Sequence, residues 1–204
     1  MAARGEYARG RARREQILTE AVGLFGESGY RAASLRDLAA RCGLTHAGLL
    51  HHVASKEALL LAVLERRDVE DAALVPADPA PPGEQQLSYL LDVVRRNTSR
   101  RGIVELFCVL SAEATSPDHP AHAFFDQRYR RVVATLTAAF TDCGHPDPAS
   151  AARRLVAVMD GLQVQWLLHP DDVDMVEQVR AQVERELGTA RCPDAGDGSA
   201  SGRR

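Results

Sequence analysis

Lysine is almost missing from this chain: Lys56 is the only one in 204 residues, and every other permanent cation is arginine. Other absences narrow the function classes further. There is no run of 18 or more apolar residues and no signal-peptide pattern, so neither a membrane span nor a secretory leader is expected and the protein reads as cytoplasmic. Cys42, Cys108, Cys143 and Cys192 are widely scattered without paired metal spacing, and Cys42 and Cys108 fall on apolar helix faces, where buried thiols belong. A Gly-rich phosphate loop, a Gly-x-Ser-x-Gly elbow and Glu-x-x-His pairs for a di-iron centre are all lacking, so neither an enzyme nor a cofactor is expected. Strand-like alternation of any length is lacking too. The expected fold class is all-α.

What is present concentrates between Ser34 and Glu57. Ser34 is a helix N-cap with Asp37 three positions on, and Leu35, Leu38 and Ala39 share one helical face. Gly43 supplies the left-handed turn that ends this helix, and Thr45 caps the next. The second helix turns Leu49 and Val53 inward and leaves Thr45, His46, Ala47, Gly48, His51 and His52 outward. A face that is small and polar can lie against base edges and still reach them. Two short helices joined by a tight turn form the unit that places a helix end in the DNA major groove. Upstream, a long amphipathic helix carries Ile17, Leu18, Ala21, Val22 and Phe25 and stops at Gly29; downstream, Ser55 opens another.

Residues 13–66 resemble the DNA-binding domain of the TetR family of bacterial repressors. The resemblance rests on Ile17-Leu18, Ala21, Leu24-Phe25, Gly29-Tyr30, Ser34-Leu35, Leu38-Ala39, Gly43-Leu44-Thr45, His51-His52, Ser55-Lys56-Glu57 and Leu59-Leu60. The chain departs from the family pattern at Leu50, where a phosphate-contacting Tyr is common, and at Val53, where Phe is usual. The resemblance implies a dimeric repressor whose C-terminal helical domain binds a small ligand. DNA contacts are then expected from Ser34, Arg36, Thr45, His46, Ala47, Gly48, His51, His52 and Lys56, with Lys56 and the start of its helix holding a phosphate.

Charge distribution points the same way. The net charge is −3, but residues 1–56 hold nine Lys/Arg against five Asp/Glu, so that this part is +4 and the remainder −7. One basic end on an acidic body suits a protein that presents that end to phosphate. The start (Arg4, Arg9, Arg11, Arg13, Arg14) reads either as a flexible arm that follows the DNA backbone or as a solubilising tail.

The expected organisation is therefore a flexible basic arm (1–12), a helix-turn-helix domain (13–70), a Pro/Ala linker (71–83), a helical effector-binding and dimerisation domain (84–187) and a disordered tail (188–204), with about nine helices in all. Five helices are expected in the C-terminal domain, over 84–100, 102–115, 120–141, 148–169 and 171–187. The stretches Glu105–Thr115 and Met159–Pro170 resemble the BetI-like branch of the family, which implies a homodimer held through about residues 150–187. A twofold dimer would read a palindromic operator in double-stranded DNA. Phe107, Phe124, Phe125, Tyr129, Met159, Gln163 and Trp166 are the candidate ligand-binding residues, although a stripe of this kind is more often plain core than pocket. Gln163 leads, because a buried amide needs a partner. His119 and His122, flanking Pro120, are expected in an exposed loop rather than at a metal. The rival reading is a helical ligand-binding or adaptor protein without sequence-specific DNA binding.

Overall fold

The structure is a computed structural model that describes the backbone of residues 2–74 and 82–191 and the side chains of 10–74 and 82–188. Among the described residues there are nine helices and no strand: α1 (Ala2–Ala32), α2 (Leu35–Arg41), α3 (His46–Leu50), α4 (Lys56–Ala72), α5 (Gly83–Thr98), α6 (Arg101–Glu113), α7 (His122–Asp142), α8 (Pro148–Leu168) and α9 (Met175–Arg191). The all-α expectation holds, and most helix ends lie within a few residues of where the periodicity places them.

Some expected boundaries fall differently. The segment expected as a flexible arm carries helical backbone continuous with α1, in keeping with its Ala and Arg content. The side chains of residues 1–9, and with them Arg4 and Arg9, lie outside the described residues. The expected linker begins inside α4, whose last residue is Ala72, and its residues 75–81 lie outside the described residues, as do residues 192–204 of the expected tail. Residues 188–191 belong to α9.

Two apolar cores organise the helices. The first is built from Ile17, Leu18, Ala21 and Phe25 of α1, Leu38 of α2, Leu49 of α3 and Leu59, Leu60, Val63 and Leu64 of α4. The second is built from Leu87 and Val94 of α5, Leu136 and Phe140 of α7, Leu155 and Trp166 of α8 and Val179 and Val183 of α9. The helix α6 belongs to both. Ile103, Leu106, Phe107 and Leu110 enter the first core, whereas Val104 enters the second with Cys108 against it. A helix apolar on nearly every side must be buried on every side, and α6 meets that demand by lying between the two bodies.

α1 runs along α6 and ends against it. At Gly29 the backbone leaves helical geometry (φ 71°, ψ 172°), a conformation that L side chains rarely adopt. The break turns the Tyr30 N–H toward α6, where the Glu113 carboxylate accepts it at 2.9 Å. Gly29 also leaves room for that carboxylate, since a Cβ there would stand 2.5 Å from Glu113 Oε1. The His119 expectation is corrected here: this residue is buried, edge-on to Tyr30 with ring centroids 5.1 Å apart, and Nε2 lies 3.5 Å from Glu113. His122 is half-buried, its Nδ1 2.8 Å from the Ala114 carbonyl. The turn is drawn inward by these polar contacts, which the sequence pattern does not show.

The far end of the molecule is closed by a buried acid. Glu186 of α9 accepts from Arg154 Nε and Nη2 at 3.0 and 2.7 Å and from Gln182 Nε2 at 2.7 Å, with His145 Nε2 3.3 Å away. These bonds, that of Arg154 first, hold its carboxyl below the usual value of 4.5. A folded-state value below the unfolded one stabilises the protein above the unfolded value and is lost as pH falls through the folded one. Glu186→Gln is therefore expected to cost about 1–2 kcal/mol at neutral pH, Arg154 being half-exposed, and to reduce the loss of stability below pH 4.5. Urea unfolding of both proteins at about pH 6 and about pH 3.5 measures it; parallel pH profiles would remove Glu186 from acid sensitivity.

Candidate nucleic-acid interface and effector core

The reading head is assembled by short polar caps over an apolar floor. Ser34 Oγ accepts from the Arg36 N–H at 3.1 Å and starts α2, one position earlier than a bond to Asp37 would. Gly43 takes a positive φ of 65°, and the turn closes through Gly43 N–H to the Ala40 carbonyl at 3.0 Å and Leu44 N–H to the Ala39 carbonyl at 2.8 Å. Thr45 Oγ1 then accepts from the Gly48 N–H at 3.0 Å to start α3, and Ser55 Oγ accepts from the Ala58 N–H at 3.0 Å to start α4. A five-residue helix has little stability of its own. Leu49, fully buried, and Val53 anchor α3 in the first core, where it packs against α2.

That anchoring fixes what α3 shows to solvent. His46, Ala47 and His51 are exposed, Gly48 and His52 half-buried, and Leu50 is 44 % exposed. Thr45 and Arg36 are also exposed, and Ser34 is half-buried at the head of α2. Around α3 the structure thus leaves Thr45, His46, Ala47, Leu50 and His51 exposed and Gly48 and His52 half-buried, with Arg36 exposed on the neighbouring α2. Arg13 is turned back onto the protein: its Nη1 donates to the Cys42 carbonyl at 3.2 Å, closing the end of α2.

Lys56 has a more complex position than a free phosphate donor. Its Nζ donates to the Arg31 carbonyl at 3.2 Å and stands 4.6 Å over the Tyr30 ring. Burial lowers its pKa. The ammonium thereby closes the end of α1 while sitting on the first residue of α4, so the helix after α3 is tied to the Gly29 break.

The seven candidate ligand residues are divided between the two cores. Phe107 and Phe125 are buried in the first, rings 5.6 Å apart, with Phe124 edge-on to Phe125 at 5.4 Å. Trp166 is buried in the second core and Met159 packs against it. Tyr129 packs on the first core and donates to Asp160 of α8 at 2.9 Å; burial, then Asp160, pushes its pKa up to about 12. Gln163 lies 3.9 Å from the Cys108 thiol, whose pKa burial raises to about 11. Gln163 and Met159 line a cavity of about 10 Å³ together with Val94, Asn97, Leu162, Met175 and Val179. That is room for one water, not for an effector. Asn97 Oδ1 is buried there without a hydrogen-bond donor.

The sequence pattern passes over a residue between these groups. Arg67 of α4 is 4 % exposed, its guanidinium 4.0 Å from the centre of the Phe107 ring. It sits in the run Glu65-Arg-Arg-Asp-Val-Glu-Asp71, which reads as a solvated helix face. Its position three residues after the buried Leu64 was the available signal, masked by its charge.

Comparison with known proteins gives this architecture its relatives. The family model for bacterial regulatory proteins of the tetR family matches residues 17–63, and that for the C-terminal domain of BetI-type transcriptional repressors matches residues 82–190, over half of the chain. Among curated proteins, the HTH-type transcriptional repressor KstR2 of Rhodococcus jostii is 28 % identical over 122 residues, covering 60 % of this chain and 52 % of that protein. The HTH-type transcriptional regulator AcrR of Shigella flexneri is 24 % identical over 185 residues, 83 % of this chain and 85 % of that protein. A solved TetR-family regulator from Streptomyces coelicolor shares the fold with a TM-score of 0.71 at 24 % identity, over 90 % of this chain and 96 % of that one. With a helix-turn-helix reading head, an all-helical body and family matches to both halves, this chain belongs to the TetR family of bacterial transcriptional regulators and is a DNA-binding regulator with a BetI-type C-terminal domain.

Proposed function

We propose that the protein is a repressor that binds a palindromic operator as a homodimer and leaves it when a small-molecule effector binds the C-terminal domain. The observation that carries this reading is the outward face of α3, where His46, Ala47 and His51 are exposed over the buried Leu49. In this reading, the N-terminal residues of α3 lie against base edges in the major groove. Ser34, Arg36, Thr45, His52 and Lys56 flank them at the phosphates, and Gly48 allows close approach.

Dimerisation through α8 and α9 has its own support. Val164 and Leu168 of α8 are 49 % and 68 % exposed, while Leu162, Leu167 and Val176 are only half-buried. An apolar helix face left open on one protomer suits a twofold partner. Two reading heads about 34–36 Å apart, or a multiple of it, would then match two half-sites. An effector that binds better to a different separation of the heads shifts the population away from DNA in proportion to that differential affinity.

Selection of sites from random duplex DNA by the full-length protein tests the reading: a palindrome with fixed spacing is the expected result, and no enrichment by a folded dimer would favour the adaptor alternative. His46→Ala is expected to change the preferred base pair at one position of each half-site by about 1–3 kcal/mol, whereas equal weakening on all sequences would remove His46 from base reading. Lys56→Ala is expected to weaken binding on every sequence and to lower the salt slope by about one. An unchanged slope with a lowered melting temperature would assign Lys56 to closing α1 alone. Val164→Asp together with Leu168→Asp is expected to shift the sedimenting species from dimer to monomer; a dimer unchanged at low protein concentration would place the interface elsewhere.

A further inference from the structure

Ion pairing between α4 and the C-terminal helices is unevenly balanced. Asp68 is taken by Arg128 and Arg131 of α7. Glu70 serves Arg66, Arg96 and Arg100, the last at 2.5 Å. Asp71 stands 3.2 Å from Arg67 Nη2. Arg66 is also held by Glu15 at 3.0 Å; the other five guanidinium groups, those of Arg67, Arg96, Arg100, Arg128 and Arg131, have three carboxylates between them, and Arg67 is the least exposed of the five.

Arg67 shows the shortfall directly. Its Nε and Nη1 are buried with no acceptor, and Nη1 of Arg100 is in the same condition. Asp71 covers only the Nη2 end of Arg67, and its own oxygens lack hydrogen-bond donors. Burial, and then the nearby Arg128, lower the Arg67 pKa to about 10 against the opposing pull of Asp71 and Asp68. Guanidinium donors left unpaired in an interior are costly, and an anion that takes two of them recovers that cost. The surroundings also shape what the anion carries. Phe107 lies beneath the guanidinium and is 5.0 Å from that of Arg128 as well, with Phe125 edge-on to Phe107 and Phe124 edge-on to Phe125. An ion with an apolar body fits there better than a bare one.

Building on the proposed effector response, we infer that the effector is an organic anion whose acidic head is held by Arg67, with Arg100 and Arg128 beside it, and whose apolar body packs on Phe107. The site joins α4, which continues from the reading head, to α6 and α7 of the C-terminal domain. An acid bound there contacts both parts of the protein. The head group is a carboxylate or a phosphate, two sources of the same charge.

Three probes with an eight-carbon chain, octanoate, octyl phosphate and neutral octanamide, together with chain-free inorganic phosphate, separate the terms, each titrated into the full-length protein by calorimetry. Octanoate or octyl phosphate is expected to bind at least about tenfold more tightly than octanamide, a difference of roughly 1.4 kcal/mol, and whichever acid is tighter identifies the head. Inorganic phosphate is expected to be the weaker phosphate ligand, because it lacks the body that Phe107 would hold. Arg67→Gln is expected to abolish the preference for acid over amide, and Arg67→Lys to retain part of it, with circular dichroism and urea unfolding confirming that each variant is folded. Should Arg67→Gln fail to fold, Phe107→Leu, expected to weaken the two amphiphilic acids but not inorganic phosphate, carries the test. Equal binding of octanoate and octanamide, an unchanged preference in folded Arg67→Gln, or no binding of any acid at millimolar concentration would overturn the anion site. The release reading is judged separately: an acid that binds through Arg67 but leaves the selected operator complex intact overturns release and leaves the site standing.

Discussion

The burial of α6 on both sides is the constraint from which the rest of the architecture follows. Ile103, Leu106, Phe107 and Leu110 require one apolar body, and Val104 with Cys108 requires another. Neither body has a complete core without this helix. Separable N-terminal and C-terminal domains would each lose a wall, so the two halves are joined by hydrophobic contact rather than by a linker alone. Any rearrangement of the C-terminal helices that moves α6 must therefore be accommodated by α1 and α4.

Polar contacts at the end of that helix make the joint specific. Glu113 of α6 holds the Tyr30 N–H, Tyr30 supports the Lys56 ammonium, and Lys56 closes α1 from the first turn of α4, a few residues beyond α3. Hydrophobic contact alone tolerates sliding; a hydrogen bond to a defined carboxylate does not. The positive φ at Gly29 lets these groups meet, and a side chain there would run into the carboxylate it serves. Contiguity of this kind supplies a physical route between the domains, and coupling along it is a matter of energies, not of adjacency.

Much of the reading head was legible in the sequence because its determinants are local. Ser34, Thr45 and Ser55 are caps that act within three residues, Gly43 acts on its own turn, and the Leu49/Val53 spacing fixes which face of α3 is hidden. The C-terminal helices were legible for a similar reason, through apolar periodicity. What remained hidden depends on pairs far apart in the chain. His119 is 89 residues from the Tyr30 ring it packs on, and Arg67 is buried by an α6 aromatic that nothing in its own helix announces. The ligand candidates share this limit: aromatic stripes identify core, but not which of the two cores receives each ring.

The scarcity of lysine takes on meaning from where Lys56 stands. In a protein whose other permanent cations are guanidinium groups, this residue carries the only side-chain amine. Acyl transfer to a side-chain amine, enzymatic or by a laboratory reagent, thus has a single address, at the seam between α1 and α4. Acylation would remove its charge and disturb its seat beside the Arg31 carbonyl and the Tyr30 ring, a few residues beyond α3.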